Sequence, residues 1–259
     1  MDDQSHAMDF TGRAVLVTGG TRGLGAAIAR AFLASGADVL VCGRSAPAAL
    51  PSAGGHEAAF RAADLRDPMA AADVVATTAE RFGRLDVLVN NAGGSPDADA
   101  ATVSPRFVEK VVALNLLAPF YTAQAANLVM REQPGGGSVI NIGSVSARTP
   151  QPGTAAYSAA KAGLLGLTRA LALEWAPRVR INHITAGLIR TENAAALYGG
   201  DAVAGVVPMG RLAEPDDVAR ACLWLACDLS SYVNGADLAV HGGGEVPARY
   251  TVARRPGPP

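Results

Sequence analysis

Short runs of β-branched and apolar residues alternate along this chain with longer Ala- and Leu-rich stretches of helical period, and that alternation predicts the elements. Ala14–Thr18 (AVLVT), Asp38–Cys42 (DVLVC), Asp86–Asn90 (DVLVN), Ser138–Ile142 and Val179–Thr185 are apolar runs of strand length. A weaker strand is expected at His56–Ala62 and a last short one at Asp237–Val240. Gly23–Ser35 reads as a helix ended by Gly36, and Asp67–Phe82 as a helix opened by Asp67-Pro68 and closed by Gly83. Ser104-Pro105 starts a long helix to about Glu132, Ala155–Trp175 is another, and Glu214-Pro215 opens one to about Cys227. Strands that lack a polar face and are separated by helical stretches imply βαβ units. The expected fold is α/β, a doubly wound parallel sheet of about seven strands with helices on both faces.

No internal repeat and no linker divides the pattern, so one domain is expected over residues 10–245, with tails at 1–9 and 246–259. Two inner segments look irregular. Arg44–Gly55 is rich in Pro and Gly, and residues 187–211 form a connection long enough for a lid, with 188–211 as the substrate loop. Leu188, Ile189, Leu197, Tyr198, Val203, Val206 and Val207 in that loop suggest an apolar substrate, whereas Arg190 and Arg148 could meet a carboxylate or phosphate.

Composition narrows the function. A chain that is 49% hydrophobic and 17% charged has a large core to bury. With 22 basic against 23 acidic residues it has no basic field for nucleic acid. Cys42, Cys222 and Cys227 have neither disulfide parity nor zinc-ligand spacing. The polar, acidic start MDDQSHAMDF is unlike a secretory signal, and no apolar run approaches the roughly 18 residues of a membrane span. A soluble, cytoplasmic protein with a small-molecule ligand is expected, with no metal.

The candidate chemistry falls in two places. Gly19, Thr21, Arg22, Gly23, Leu24 and Gly25 lie between the first strand and the first helix, where a glycine turn lets a pyrophosphate approach free helix N–H groups. In this Rossmann-type setting Asp64, followed by Leu65, could accept from an adenine amine or simply cap a helix. Asn91, Ala92 and Gly93 follow the fourth strand at the edge where open α/β sheets bind ligands. The second strand ends on Gly43-Arg44 and not on a carboxylate, and Arg22 sits in the glycine turn, so two guanidiniums could hold a 2′-phosphate. NADP(H) is therefore preferred, with NAD(H) possible. The second place is Tyr157 and Lys161, i and i+4 on a predicted helix, in a chain with only one other lysine, Lys110. A nearby ammonium favours phenolate, so such a tyrosine can exchange a proton with a carbinol or carbonyl oxygen. A hydroxyl must polarise that oxygen: Ser144 ends the fifth strand, and Ser146, Thr154 and Ser158 are rivals.

These residues stand in TGGTRGLG, ADL, NNAG, ALNLLAPF, INIGS and YSAAK, in an order that resembles the short-chain dehydrogenase/reductase family over about residues 10–245, with some likeness to 3-oxoacyl-carrier-protein reductases. The resemblance implies a ketone/secondary-alcohol oxidoreductase with a tetrad of Asn115, Ser144, Tyr157 and Lys161. In it Tyr157 is the acid/base, Ser144 holds the substrate oxygen, Lys161 contacts the nicotinamide ribose, and Asn115, at a helix break, holds a water. It also places Gly187, Ile189 and Thr191 near the nicotinamide, Thr191 on its carboxamide, and implies a homotetramer. Ala186-Gly187 replaces the family's usual Pro-Gly, and His241 is expected to be structural with a carbonyl partner. Arg178 matches one carrier-protein contact, but Pro134 to Gly137 offers no second base. A small ketone, a 3-oxoacyl-CoA and a polycyclic ketone all remain open, as does a catalytically silent binding role.

Overall fold

The computed structural model describes residues 8–149, 151–192 and 200–246, and most of both tails lies outside that range. Seven parallel strands form the main sheet. In chain order, the strands and α-helices among the described residues are β1 (Ala14–Thr18), α1 (Gly23–Ala34), β2 (Asp38–Gly43), β3 (Ser52–Ala53), β4 (His56–Glu57), β5 (Ala59–Ala62) and α2 (Pro68–Phe82). There follow β6 (Val87–Asn90), α3 (Pro105–Val112), α4 (Ala118–Met130), β7 (Gly137–Ile142), α5 (Ala155–Trp175), β8 (Val179–Ala186), α6 (Pro215–Ala226) and β9 (Asp237–Val240).

Alternate side chains of each strand feed two apolar layers, which is why the runs have no polar face. Val15, Val17, Val39, Val87 and Ile140 pack with Ile28 and Phe32 of α1 and with Val218 and Leu225 of α6. Leu16, Leu40, Leu88 and Val139 pack with Val74 of α2, Ala123 of α4 and Leu171 of α5. The helix ends are those the sequence marks. Asp67 accepts from the Met69 N–H at 2.9 Å, Ser104 accepts from the Phe107 N–H at 3.2 Å, and Gly83 closes α2 at φ +74°. Among the described residues no helix is long and apolar enough to cross a membrane.

The sheet order is β5-β2-β1-β6-β7-β8-β9. The chain builds outward from β1 to β5, then returns to the other side of β1 with β6. Strand order reverses there, and the crevice beyond the carboxyl ends of β1 and β6 is where such sheets take ligands.

Two expectations need correction. His56–Ala62 is not one strand: His56–Glu57 turns back on Ser52–Ala53 as an antiparallel hairpin, and only Ala59–Ala62 joins the sheet. The Arg44–Gly55 segment therefore ends in a hairpin arm, with no helix between β2 and α2. The long helix from Ser104 is broken by a π-helical segment at Ala113–Leu117. Pro119 supplies the reason, because it has no N–H for the carbonyl four residues back, that of Asn115, and its ring crowds that carbonyl.

Candidate active site

The glycine turn after β1 is shaped by close approach. A Cβ on Gly25 would lie 2.3 Å from the Gly19 carbonyl oxygen and 2.5 Å from Asn91 Nδ2, and Gly19 itself adopts φ +63°. Above Gly23, at φ +52°, a Cβ would meet nothing nearer than the Thr191 methyl at 3.8 Å. Helix α1 begins without a side-chain cap, so its first-turn N–H groups have no side-chain acceptor there. The turn is laced to the end of β6 by a residue that sequence reasoning did not single out. Buried Thr18 accepts at Oγ1 from the N–H groups of Asn91 and Ala92, both at 3.0 Å, and Asn91 Nδ2 donates to the Thr18 carbonyl at 2.9 Å. Asn91 thus holds the turn with its amide while its surface lines the groove.

Two clefts run together across this edge, sharing Leu24, Asn91, Gly93 and Thr191. The groove of about 690 Å³ is lined by Gly19, Thr21, Arg22, Gly23, Gly25, Arg44, Asp64, Leu65 and Ala92. Arg22 and Arg44 are exposed, with no ion pair among the described residues. Asp64 pairs with Arg66, which holds the Asp64 carboxyl below the usual carboxylate range. Glycine turn and uncapped helix start together fit the pyrophosphate of a dinucleotide.

The second cleft, about 620 Å³, takes in Ser144, Tyr157, Lys161, Gly187, Ile189 and Thr191. Tyr157 and Lys161 share one face of α5, with Lys161 Nζ 5.7 Å from the centre of the Tyr157 ring. Lys161 is 3% exposed, donates to the Ile142 carbonyl at 2.8 Å, and burial draws its pKa down to about 8. Ser144 ends β7. Its Oγ accepts from the Ser146 N–H and donates to Ser146 Oγ, each at 3.1 Å. Thr154 and Ser158, two of its rivals, share a 2.9 Å hydrogen bond with each other.

Asn115 is buried at the π-helical break and lines neither cleft. Its Oδ1 accepts from the Gly94 N–H at 2.9 Å, and its Nδ2 donates to the carbonyls of Gly94 at 3.0 Å and Val111 at 2.9 Å. A Cβ on Gly93 would lie 2.7 Å from Asn115 Oδ1 and 3.2 Å from Lys161 Nζ, so these three residues meet at one point. The four residues of the implied tetrad converge, with Asn115 acting through backbone.

Behind Ser144 lies a cluster the sequence did not reveal. His183, fully buried on β8, sits against Gly143 so closely that a Cβ there would be 2.1 Å from its ring. Its Nδ1 is 2.8 Å from Asp237, which also accepts from Thr185 Oγ1 at 2.7 Å and pairs with Arg148. Burial lowers the His183 pKa, so the imidazole is neutral at pH 7 and its Nδ1–H donates to Asp237. Arg148 is therefore not available as an anion ligand, and Arg190 pairs with Glu214 at 3.0 Å. His241 differs too: its buried Nδ1 has no hydrogen-bond partner, where a carbonyl was expected. The lid's ends are zipped by hydrogen bonds between Arg190 and Ala213 and between Ala213 and Leu188. Leu197 and Tyr198 lie outside the described residues, while Leu188, Ile189 and Val203 line the cleft.

Comparison with known proteins agrees with this geometry. A family model described as enoyl-(acyl carrier protein) reductase matches residues 19–245. The chain is 38% identical to D-threitol dehydrogenase of Mycolicibacterium smegmatis over 256 residues, covering 93% of this chain and 97% of that one. It is 35% identical to the 3-oxoacyl-(acyl-carrier-protein) reductase of Chlamydia pneumoniae over 247 residues, 91% and 99% of the two chains. The structure of a 7α-hydroxysteroid dehydrogenase complexed with NADH and 7-oxo glycochenodeoxycholic acid superposes with a TM-score of 0.86 at 27% identity, covering 93% of this chain and 97% of that one. With a matched model over most of its length and relatives above 30% identity along almost all of it, this protein belongs to the short-chain dehydrogenase/reductase family of oxidoreductases.

Proposed function

We propose that this enzyme interconverts a ketone and a secondary alcohol with NADP(H), using Tyr157 as the acid/base. One observation carries the reading: Ser144, Tyr157 and Lys161 line a single cleft continuous with the glycine turn. When bound, a nicotinamide supplies the two-electron hydride acceptor or donor. Gly19 to Gly25, Ala92, Gly93, Gly187, Ile189 and Thr191 would hold that dinucleotide. Ser144 donates to the substrate oxygen once its hydroxyl turns from Ser146. In the oxidative direction the carbinol O–H proton passes to Tyr157, and in the reductive direction Tyr157 returns it to the carbonyl oxygen. The Lys161 ammonium makes the phenolate accessible near neutral pH. Asn115 is a positioning residue that fixes the Gly93–Gly94 turn beside Lys161.

Arg22 and Arg44 support NADP(H), because no carboxylate at the end of β2 would repel a 2′-phosphate. NAD(H) is the second reading, supported by the NADH-bound steroid dehydrogenase relative. The assembly that goes with this function is a homotetramer in the cytoplasm. Carrier-protein docking has little support, because the only base at the expected place is Arg178, turned toward the Pro134 carbonyl at 3.5 Å.

The test is a turnover and coenzyme-binding comparison. Tyr157→Phe is expected to lower kcat by about 100-fold or more with coenzyme affinity retained. Arg44→Ala should weaken NADPH about tenfold more than NADH, the effect of losing roughly 1.4 kcal/mol. Undiminished turnover in the first variant overturns the acid/base assignment, and equal weakening of both coenzymes in the second overturns the phosphate assignment.

A further inference from the structure

The far end of the catalytic cleft, past Ser144 and Tyr157, is unlike the apolar pocket that the lid residues suggest. Its wall carries Ser146, Gln151, Asp97 and Glu245. Three of these continue the Ser144 hydroxyl in one directed line. Ser144 donates to Ser146, Ser146 Oγ donates to Gln151 Oε1 at 2.5 Å, and Gln151 Nε2 donates to Glu245 Oε1 at 3.3 Å. Asp97, brought to the same wall by the Ala98 N–H bond to the Gly153 carbonyl, has no hydrogen bond or ion pair of its own among the described residues.

Charge decides between substrate classes. Among the described residues Lys161 is the only cation that lines this cleft. Arg148, Arg190 and Arg211 are bound to Asp237, Glu214 and Asp217. Among the described residues an anionic substrate would thus face two carboxylates with no unpaired guanidinium lining the cleft to offset them. A wholly apolar ketone would cover the Asp97 and Glu245 carboxylates and offer neither of them a donor. A polyhydroxylated substrate fits this wall, since its O–H groups donate to the Asp97 and Glu245 carboxylates and accept from the second N–H of the Gln151 amide.

We propose that the substrate of this site is a small neutral polyol or its keto form, with Gln151, Glu245 and Asp97 reading hydroxyls on carbons beyond the reacting carbinol. The inference rests on the oxidoreductase reading of Tyr157 given above, and names the chemical class on which it acts. A site built to bond hydroxyls discriminates strongly against analogues that lack them.

The experiment follows coenzyme reduction with erythritol, xylitol and sorbitol against 2-butanol, 3-hydroxybutyrate, a steroid alcohol and an amino polyol. The wild-type enzyme is expected to favour the best polyol over 2-butanol by about 100-fold or more in kcat/KM. In the double variant Asp97→Asn, Glu245→Gln that ratio should fall about tenfold or more, a specificity change that a merely structural role would not produce. An unchanged ratio overturns the assignment of these residues. Preference for the hydroxy acid, the steroid or the amino polyol overturns the substrate class while leaving the oxidoreductase reading in place. No turnover with any compound, together with no difference between wild type and Tyr157→Phe, overturns both.

Discussion

At the scale of single residues, Lys161 carries the largest conflict between stability and chemistry. Its ammonium is buried and donates to the Ile142 carbonyl, and its pKa falls from 10.5 to about 8 because burial disfavours the charged form. Below pH 8 both folded and unfolded chains hold the proton, and the folded state bears the whole penalty. Between about 8 and 10.5 the unfolded chain holds more protons, so stability rises with pH until the penalty is gone. Lys161→Met should therefore stabilise the coenzyme-free protein by about 1–3 kcal/mol at pH 7 while abolishing turnover. Its advantage over wild type in denaturant melts should shrink toward pH 10. An advantage that grows with pH contradicts this account. The Tyr157–Lys161 pair was legible in the sequence because i and i+4 on a helix meet whatever the tertiary fold. The pairings of Arg148 and Asp64 were not equally legible. Asp64 and Arg66 are two residues apart, but Arg148 and Asp237 are 89 apart and meet only because β9 joins the sheet.

At the scale of elements, the break between α3 and α4 positions the site. Pro119 leaves the Asn115 carbonyl without its helical partner, the turn widens, and the Ala118 N–H reaches back to the Ala113 carbonyl. The Asn115 side chain then holds both backbone groups of Gly94 and the Val111 carbonyl. Asn115→Ala removes three hydrogen bonds at a buried place, so a destabilisation of about 2–4 kcal/mol is expected by chemical denaturation, together with weaker coenzyme binding through the displaced Gly93–Gly94 turn. A variant as stable as wild type would show that Gly94 is held by something else. The Ala/Leu-rich pattern on both sides of Pro119 continues without a phase change and reads as one helix, and only the family resemblance placed a break at Asn115.

At the scale of the whole molecule, the two apolar layers account for the sheet and leave some large side chains uncovered. Leu128 on α4 and Leu173 on α5 are 55% and 84% exposed. Single exposed leucines are ordinary, but these two lie on α4 and α5, within the two long helical stretches on which the family resemblance would build the proposed homotetramer. Sedimentation at micromolar concentration should give a particle of four chains, and Leu128→Glu with Leu173→Glu should reduce it to smaller species of unaltered secondary structure. A monomer in the unmodified protein contradicts the assembly.

The order of strands and helices, their caps, the glycine turn and the Tyr157–Lys161 face were determined by the sequence alone, because each depends on residues within a few positions of one another. The His183–Asp237–Arg148 cluster and the link from Gln151 to Glu245 were decided only by tertiary structure. There the partners come from distant segments, and whether a charged side chain faces a ligand or is neutralised depends on which carboxylate the sheet carries up to it.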